Sequence, residues 1–160
     1  MLLRNMTSIY LLHGDEILLL YRQGSRVANN SYISSAGGHM EEFELNRPRD
    51  AMLRELGEEL GLDETLLKGL ALRYITQRFT KGEVRQIYYY FAEIGDKALV
   101  NESSEGQLRW VRLYDALSLP MPVTARRMLE HYIEEGRFTD HLYAGATTPG
   151  GMVFTVLEEF

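Results

Sequence analysis

"GGHMEEFELNRPRDAMLRELGEELGL", residues 37–62, sets a dense run of carboxylates directly after a double glycine. In its second half Ala51, Met52, Leu53, Leu56 and Leu60 recur at helical spacing. Pro48 suits a first helical turn, Asn46 or Arg47 a cap, and Gly61 a left-handed terminator. On such a helix Glu58 lies at about −60° and Glu59 at about +40° from Glu55, so three carboxylates share one stripe roughly 100° wide. Like charges at this spacing cost about a few tenths of a kcal/mol each when solvated, and more when partly buried. Something positive against the stripe resolves the conflict. Arg54, four residues before Glu58, can pair along the helix. A hard divalent cation such as Mg²⁺ or Mn²⁺, which takes oxygen ligands, is the stronger candidate. For an arbitrary acidic helix a solvated charged face is the commoner explanation. Two details weigh against it. Gly57 costs the helix up to ~1 kcal/mol relative to alanine, and the double glycine permits close backbone approach to a ligand.

The rest of the chain surrounds this helix with strands. "SIYLLHGDEILLLYR" is two apolar runs around Gly14 and Asp15, a hairpin pattern. A polar loop follows at 24–31, and "YISSAGG" reads as one short strand ending on the glycines. "LALRYITQRF", a Lys81 and Gly82 turn, and "VRQIYYYFAEI" form a second hairpin rich in aromatic and β-branched residues. "QLRWVRL" is a further strand. "TARRMLEHYIEEG" is a second helix, with Met128, Leu129, Tyr132 and Ile133 on its apolar face and Gly136 at its end. The tail pairs across Pro149, Gly150 and Gly151. This order predicts an α+β fold of one domain over residues 1–160, with a mixed sheet.

Composition narrows the function. A chain of 160 residues, 45% hydrophobic and 25% charged, has an ordinary globular balance and room for a core. A net charge of −6 disfavours stable nucleic-acid binding, which needs basic surface. It leaves small phosphate ligands open, because a metal ion supplies positive charge locally. The absence of cysteine removes disulfides, thiolate metal sites and cysteine nucleophiles, and is compatible with a cytoplasmic protein. The apolar N-terminal stretch is interrupted by His13, Gly14, Asp15 and Glu16 and reads as strand and turn, not as a signal peptide. No apolar run approaches the ~20 residues of a membrane span.

"RELGEELGL", residues 54–62, resembles the core of the Nudix box, REUxEExGU, at every fixed position, and Gly38 to Glu44 resembles its upstream half. The order of elements is similar to the Nudix fold, a mixed sheet sandwiched between helices. Two features depart from the pattern. Nine residues separate Glu44 from Arg54 where the family has seven, and Ala36 stands where relatives usually carry proline. Because Pro48 keeps its place before Arg54, the extra pair is expected to enlarge the loop before the helix.

The resemblance implies hydrolysis of a nucleoside diphosphate linked to a further group, assisted by Mg²⁺ or Mn²⁺. It implies Glu55, Glu58 and Glu59 as metal ligands, the Gly37 carbonyl as a further ligand, and a structural ion pair between Glu44 and Arg54. Glu41 and Glu42 are alternative partners for Arg54. Glu55 or a downstream acid takes part in proton transfer; Glu105 is the implied residue, with Glu102 as competitor. The "EGQLRW" segment is similar to enzymes that cut purine nucleoside triphosphates, oxidised ones included, to monophosphate and pyrophosphate. ADP-ribose, nucleotide sugars and dinucleoside polyphosphates are alternative substrates, and a non-catalytic nucleotide-binding domain is an alternative role. An isoprenyl-diphosphate isomerase on the same fold would use a cysteine that the chain lacks. Tyr32, Arg22 and Arg85 are candidate substrate contacts, although a surface arginine is more often only solvated. Half of the aromatics at 88–91 face a core by strand alternation. His39 reads as structural. Many relatives are dimers, so a homodimer is a candidate assembly.

Overall fold

The computed structural model describes residues 1–24 and 30–160; most of the polar loop read at 24–31 lies outside the described residues. β1 (Leu2–His13) turns at Gly14 and Asp15 into β2 (Glu16–Arg22). Gly14 takes the left-handed conformation, φ 61°, that the tight turn requires. The two strands pair only at Leu12 with Ile17 and His13 with Glu16. Beyond that point they part. β2 pairs with β3 (Ser31–Ile33) and β7 (Gln107–Arg112). β1 pairs antiparallel with β4 (Ala36–His39) and, along most of its length, parallel with β6 (Glu83–Ile94).

The single strand expected at 32–38 is therefore two strands. The break falls at Ser34 and Ser35, which turn their side chains inward. Ser35 Oγ donates to the Leu18 carbonyl at 2.6 Å and accepts the Leu11 N–H at 2.9 Å, stitching the break to β2 and β1. Buried backbone groups that lose a ladder partner must find another, and a serine hydroxyl supplies one.

The second hairpin forms as the sequence predicts, from β5 (Leu67–Thr80) and β6 across Lys81 and Gly82. β8 (Tyr143–Thr148) runs parallel to β5, and β9 (Gly151–Val156) closes the tail hairpin. The path through the mixed sheet is β3-β2-β1-β6-β5-β8-β9, with β4 on β1 and β7 on β2. α1 (Pro48–Leu60) lays Met52, Leu56 and Leu60 on one face, against Ile9, Leu11, Leu18 and Tyr90. α2 (Val123–Glu134) lays Met128, Leu129, Tyr132 and Ile133 on the other, against Tyr10, Tyr74, Tyr89 and Phe91. The result is the predicted α+β sandwich, and it splits the aromatic run by alternation: Tyr89 and Phe91 face α2, Tyr88 and Tyr90 face α1. Among the described residues no helix is long and apolar enough to cross a membrane.

Gly136 has a role that helix termination does not explain. α2 ends at Glu134, and Gly136 opens a short 3₁₀ turn. A Cβ there would lie 2.0 Å from the Tyr74 hydroxyl. That hydroxyl shares a 2.8 Å hydrogen bond with His131 Nδ1, and the ring is fully buried. Because the ring is held at both ends, Gly136→Ala should destabilise the fold by about 2 kcal/mol through overpacking. The expected fall in melting temperature is about 4–8 °C; an unchanged value would show that Tyr74 can move aside.

Candidate active site

β4 carries the double glycine along β1, with Gly37 opposite Ser8 and Gly38 opposite Thr7. A side chain at either position would meet an obstacle, backbone at Gly37 and the end of a side chain at Gly38. A Cβ at Gly37 would lie 2.4 Å from the Thr7 carbonyl oxygen and 2.9 Å from Ser8 Cα. A Cβ at Gly38 would lie 2.4 Å from Glu55 Oε1. The Glu55 carboxylate therefore rests directly on the Gly38 backbone. One helical turn further on, Glu59 Oε2 accepts the Gly37 N–H at 3.1 Å. α1 thus stands with Glu55 and Glu59 turned inward onto the glycines, while the Glu58 side chain is 60% exposed.

Arg54 organises this end of the helix. Its Nε and Nη2 grip Glu44 at 2.8 and 2.9 Å, its Nη1 donates to Glu55 at 3.0 Å and Glu58 at 3.2 Å, and Nη2 also donates to the His39 carbonyl at 3.2 Å. The lengthened loop presents Glu44 through a 3₁₀ turn at Glu42–Glu44, whose backbone is tied by Glu44 Oε2 accepting the Glu41 N–H. Glu44 is only 3% exposed, whereas Glu41 and Glu42 face solvent. The Arg54 hydrogen bond holds the Glu44 carboxyl below the usual glutamate range.

That shift has a pH consequence. A depressed folded pKa contributes stability above the unfolded value, 4.5, and loses it as pH falls through the folded value. Glu44→Gln should cost about 2 kcal/mol at pH 7, less than for a fully buried pair because Arg54 keeps its other acceptors. The gap between variant and wild type should close below pH 4.5 in urea titrations. A gap of the same size in acid would contradict the assignment.

The inward carboxylates are electrostatically unfinished. Desolvation raises Glu55, against the pull of Arg54. Glu59 is pushed up to about 7, first by desolvation and further by the charges of Glu55 and Glu105, against the Gly37 N–H and Arg22. Thr7, in register with Gly38, has a buried hydroxyl without a hydrogen-bond partner among the described residues. As the side chains stand, no three His, Asp or Glu groups among the described residues converge closely enough to hold a metal ion. Arg54 draws Glu55 and Glu58 toward its own Nη1. The donors nevertheless fit a hard divalent cation: carboxylate oxygens with surplus negative charge, set over a glycine backbone that leaves them room. Glu58 has the exposure to leave Arg54 and join Glu55 and Glu59.

Beside the glycines, on the α2 face of the sheet, lies a cavity of about 240 Å³. Gly37, Gly38 and His39 form its rim toward α1, and Met6, Ile33, Ile87 and Tyr89 form apolar walls. Arg22 and Arg85 line it. Arg22 is bound to Glu105 at 2.7 Å, so Glu105 stands at the junction of cavity and carboxylate cluster. Tyr32 is not among the lining residues; it packs on Tyr21 and its hydroxyl accepts from Arg109 at 3.1 Å. Sequence reasoning missed Arg78 and Thr76, which also line the cavity. The signal was available: a two-residue turn at Lys81 and Gly82 pairs Thr80 with Glu83, and hence Arg78 with Arg85.

The NUDIX domain family model matches residues 2–132. None of the curated proteins matches the chain. Among solved structures, the MutT protein of Bacillus halodurans superposes with a TM-score of 0.71 at 22% identity, covering 96% of this chain and 97% of that one. An Ap4A hydrolase of C. elegans superposes at 0.64 with 22% identity over 84% and 96% of the two chains. The NUDIX domain of Shewanella oneidensis NrtR, in complex with ADP ribose, superposes at 0.61 with 18% identity over 86% and 88%. With the family model spanning most of its length and the box arranged on α1 and β4, the chain belongs to the NUDIX domain family.

Proposed function

We propose that the protein hydrolyses a purine nucleoside triphosphate, oxidised or not, to the monophosphate and pyrophosphate. The observation that carries this reading is the junction between the carboxylate cluster and the apolar cavity at Gly37 and Gly38. A flat base fits between Ile87, Tyr89 and Ile33, and the phosphates then leave the cavity over the glycine rim, toward Glu55 and Glu59. Glu55, Glu58, Glu59 and the Gly37 carbonyl are the groups that would hold Mg²⁺ or Mn²⁺. When bound, the ion lowers the pKa of a water and neutralises charge on phosphoryl oxygens. The protein's own contribution is positional. Gly38 leaves space for Glu55, the Gly37 N–H fixes Glu59, and Arg54 holds the helix start in register through Glu44. Fixing the water and the anhydride in line supplies much of the remaining acceleration. Glu55 or Glu105 takes the proton of the attacking water, Glu105 from its place beside Arg22.

The test is a substrate panel with Mg²⁺: nucleoside triphosphates with and without a 3′-phosphate on the ribose, oxidised purine triphosphates, ADP-ribose, nucleotide sugars and dinucleoside polyphosphates, with product analysis. The reading expects a monophosphate and pyrophosphate from a purine triphosphate. Turnover confined to ADP-ribose or to dinucleoside polyphosphates replaces the substrate but keeps the centre. No turnover of any member with Mg²⁺ or Mn²⁺ leaves a nucleotide-binding role instead.

A further inference from the structure

Three arginines stand abreast across the sheet at the end of the cavity remote from the glycines. Arg4 on β1 is in register with Arg85 on β6, and Arg85 with Arg78 on β5. Like charges directly opposite one another on paired strands are destabilising, so a sheet with no ligand to hold would gain by an acid or a neutral residue in the middle. Among the described residues, Glu83 is the one carboxylate that pairs with them. It accepts from Arg4 Nε at 2.7 Å and from Arg85 Nε at 2.5 Å. Arg78 has no ion pair among the described residues. The cluster keeps an excess of two positive charges in a protein whose net charge is −6. Arg78 and Arg85 both line the cavity.

We propose that Arg78 and Arg85 form a second anion site, and that the preferred substrate carries a further phosphate, remote from the anhydride that is cut. The inference rests on the carboxylate cluster being the hydrolytic centre. Charge decides against a neutral occupant. One guanidinium fork satisfies the acceptor edge of a purine, but a neutral base leaves the cluster's excess of two positive charges, borne on partly exposed side chains, to be answered by solvent alone. A phosphate monoester, carrying close to two negative charges, matches the excess and takes bidentate hydrogen bonds from arginine.

Distance agrees. Arg85 lies four residues before Tyr89, which is in register with Ser8 and hence with Gly37 two strands away. At strand spacings the backbone separation is about 16 Å. The inward reach of the arginine side chains shortens that gap to the scale of one nucleoside. The apolar walls of Met6, Ile33 and Ile87 occupy the middle, where a base or ribose lies between the two phosphate sites.

Calorimetric binding of product-like nucleotides in Mg²⁺ tests this without turnover. Adenosine 2′,5′-bisphosphate or adenosine 3′,5′-bisphosphate should bind at least about tenfold tighter than AMP. Arg78→Gln and Arg85→Gln should each collapse that ratio toward one, and Arg78→Lys, which keeps the charge, should restore part of it. Bisphosphates that bind no tighter than AMP overturn the proposal. So does a pair of Gln variants that preserves the bisphosphate advantage and instead alters the ratio of GMP to AMP, since the arginines would then be reading a base edge. If the substrate panel is cut while the bisphosphates show no advantage, only the second site falls. If nothing in the panel is cut, the hydrolytic reading falls on that result alone.

Discussion

Glu59→Gln should lower kcat/KM by about 10³-fold while the protein stays folded, the scale of losing one charged ligand from a metal-assisted phosphoryl centre. The effect is large because Glu59 is held rather than merely present: the Gly37 N–H fixes Oε2 at 3.1 Å, next to the backbone carbonyl assigned as a neighbouring ligand. Glutamine keeps the size and one acceptor but loses the charge. Stability separates this loss from misfolding, and the sign is informative. Glu59 has a folded pKa raised to about 7, so its contribution to stability is fully present below the unfolded value of 4.5 and is lost as pH rises through 7. At pH 8 without metal the wild type carries a buried, uncompensated carboxylate and the variant does not. The variant should therefore melt no lower than the metal-free wild type at pH 8. Retained turnover in Glu59→Gln, or a variant that unfolds at room temperature, would contradict the assignment.

Gly38→Ala should cost about 10²-fold in kcat/KM with little change in melting temperature. The new methyl would sit 2.4 Å from Glu55 Oε1 and 2.6 Å from its carboxyl carbon. Those atoms are the far end of a flexible side chain, so the fold accommodates the methyl by swinging the carboxylate away. A displacement on the order of 1 Å in a catalytic constellation costs about that factor. Gly37→Ala makes the contrast. There the obstacle is backbone, the Thr7 carbonyl oxygen and Ser8 Cα, so β4 must leave β1 and stability falls with activity. If Gly38→Ala turns over like the wild type, Glu55 is not required where the structure places it.

What the sequence made legible was local. The helix from Pro48, its end at Gly61 with φ 66°, the Arg54 to Glu58 pair and the turn at Lys81 and Gly82 all depend on residues within a few positions of one another. The Glu44 to Arg54 contact spans ten residues; the resemblance to the Nudix box implied it despite a spacing two residues longer than the family's, and the structure selects Glu44 over Glu41 and Glu42. The carboxylate stripe was legible as a stripe. Its division into inward Glu55 and Glu59 and outward Glu58 required the sheet. Contacts of long sequence separation were not legible. β1 and β6 pair in parallel although Glu83 comes 81 positions after Leu2, and no local pattern encodes that register. For the same reason the double glycine read only as permitting close backbone approach to a ligand, and the sequence did not show that Gly38 leaves room for Glu55. Gly136 read as a helix terminator, whereas it leaves room for Tyr74. Tyr32 was singled out by its nearness to the glycines in sequence, but the pairing of β3 with β2 sets it opposite Tyr21, with Arg109 at its hydroxyl.

The most direct measurement is the number of Mn²⁺ ions bound, by electron paramagnetic resonance, in the wild type and in a Glu55→Gln, Glu59→Gln double variant, with hydrolysis of the panel substrate followed in the same samples. The account predicts bound Mn²⁺ and turnover together in the wild type, and the loss of both in the double variant. Equal Mn²⁺ occupancy in the two proteins, or turnover that survives removal of all divalent cations, would contradict it.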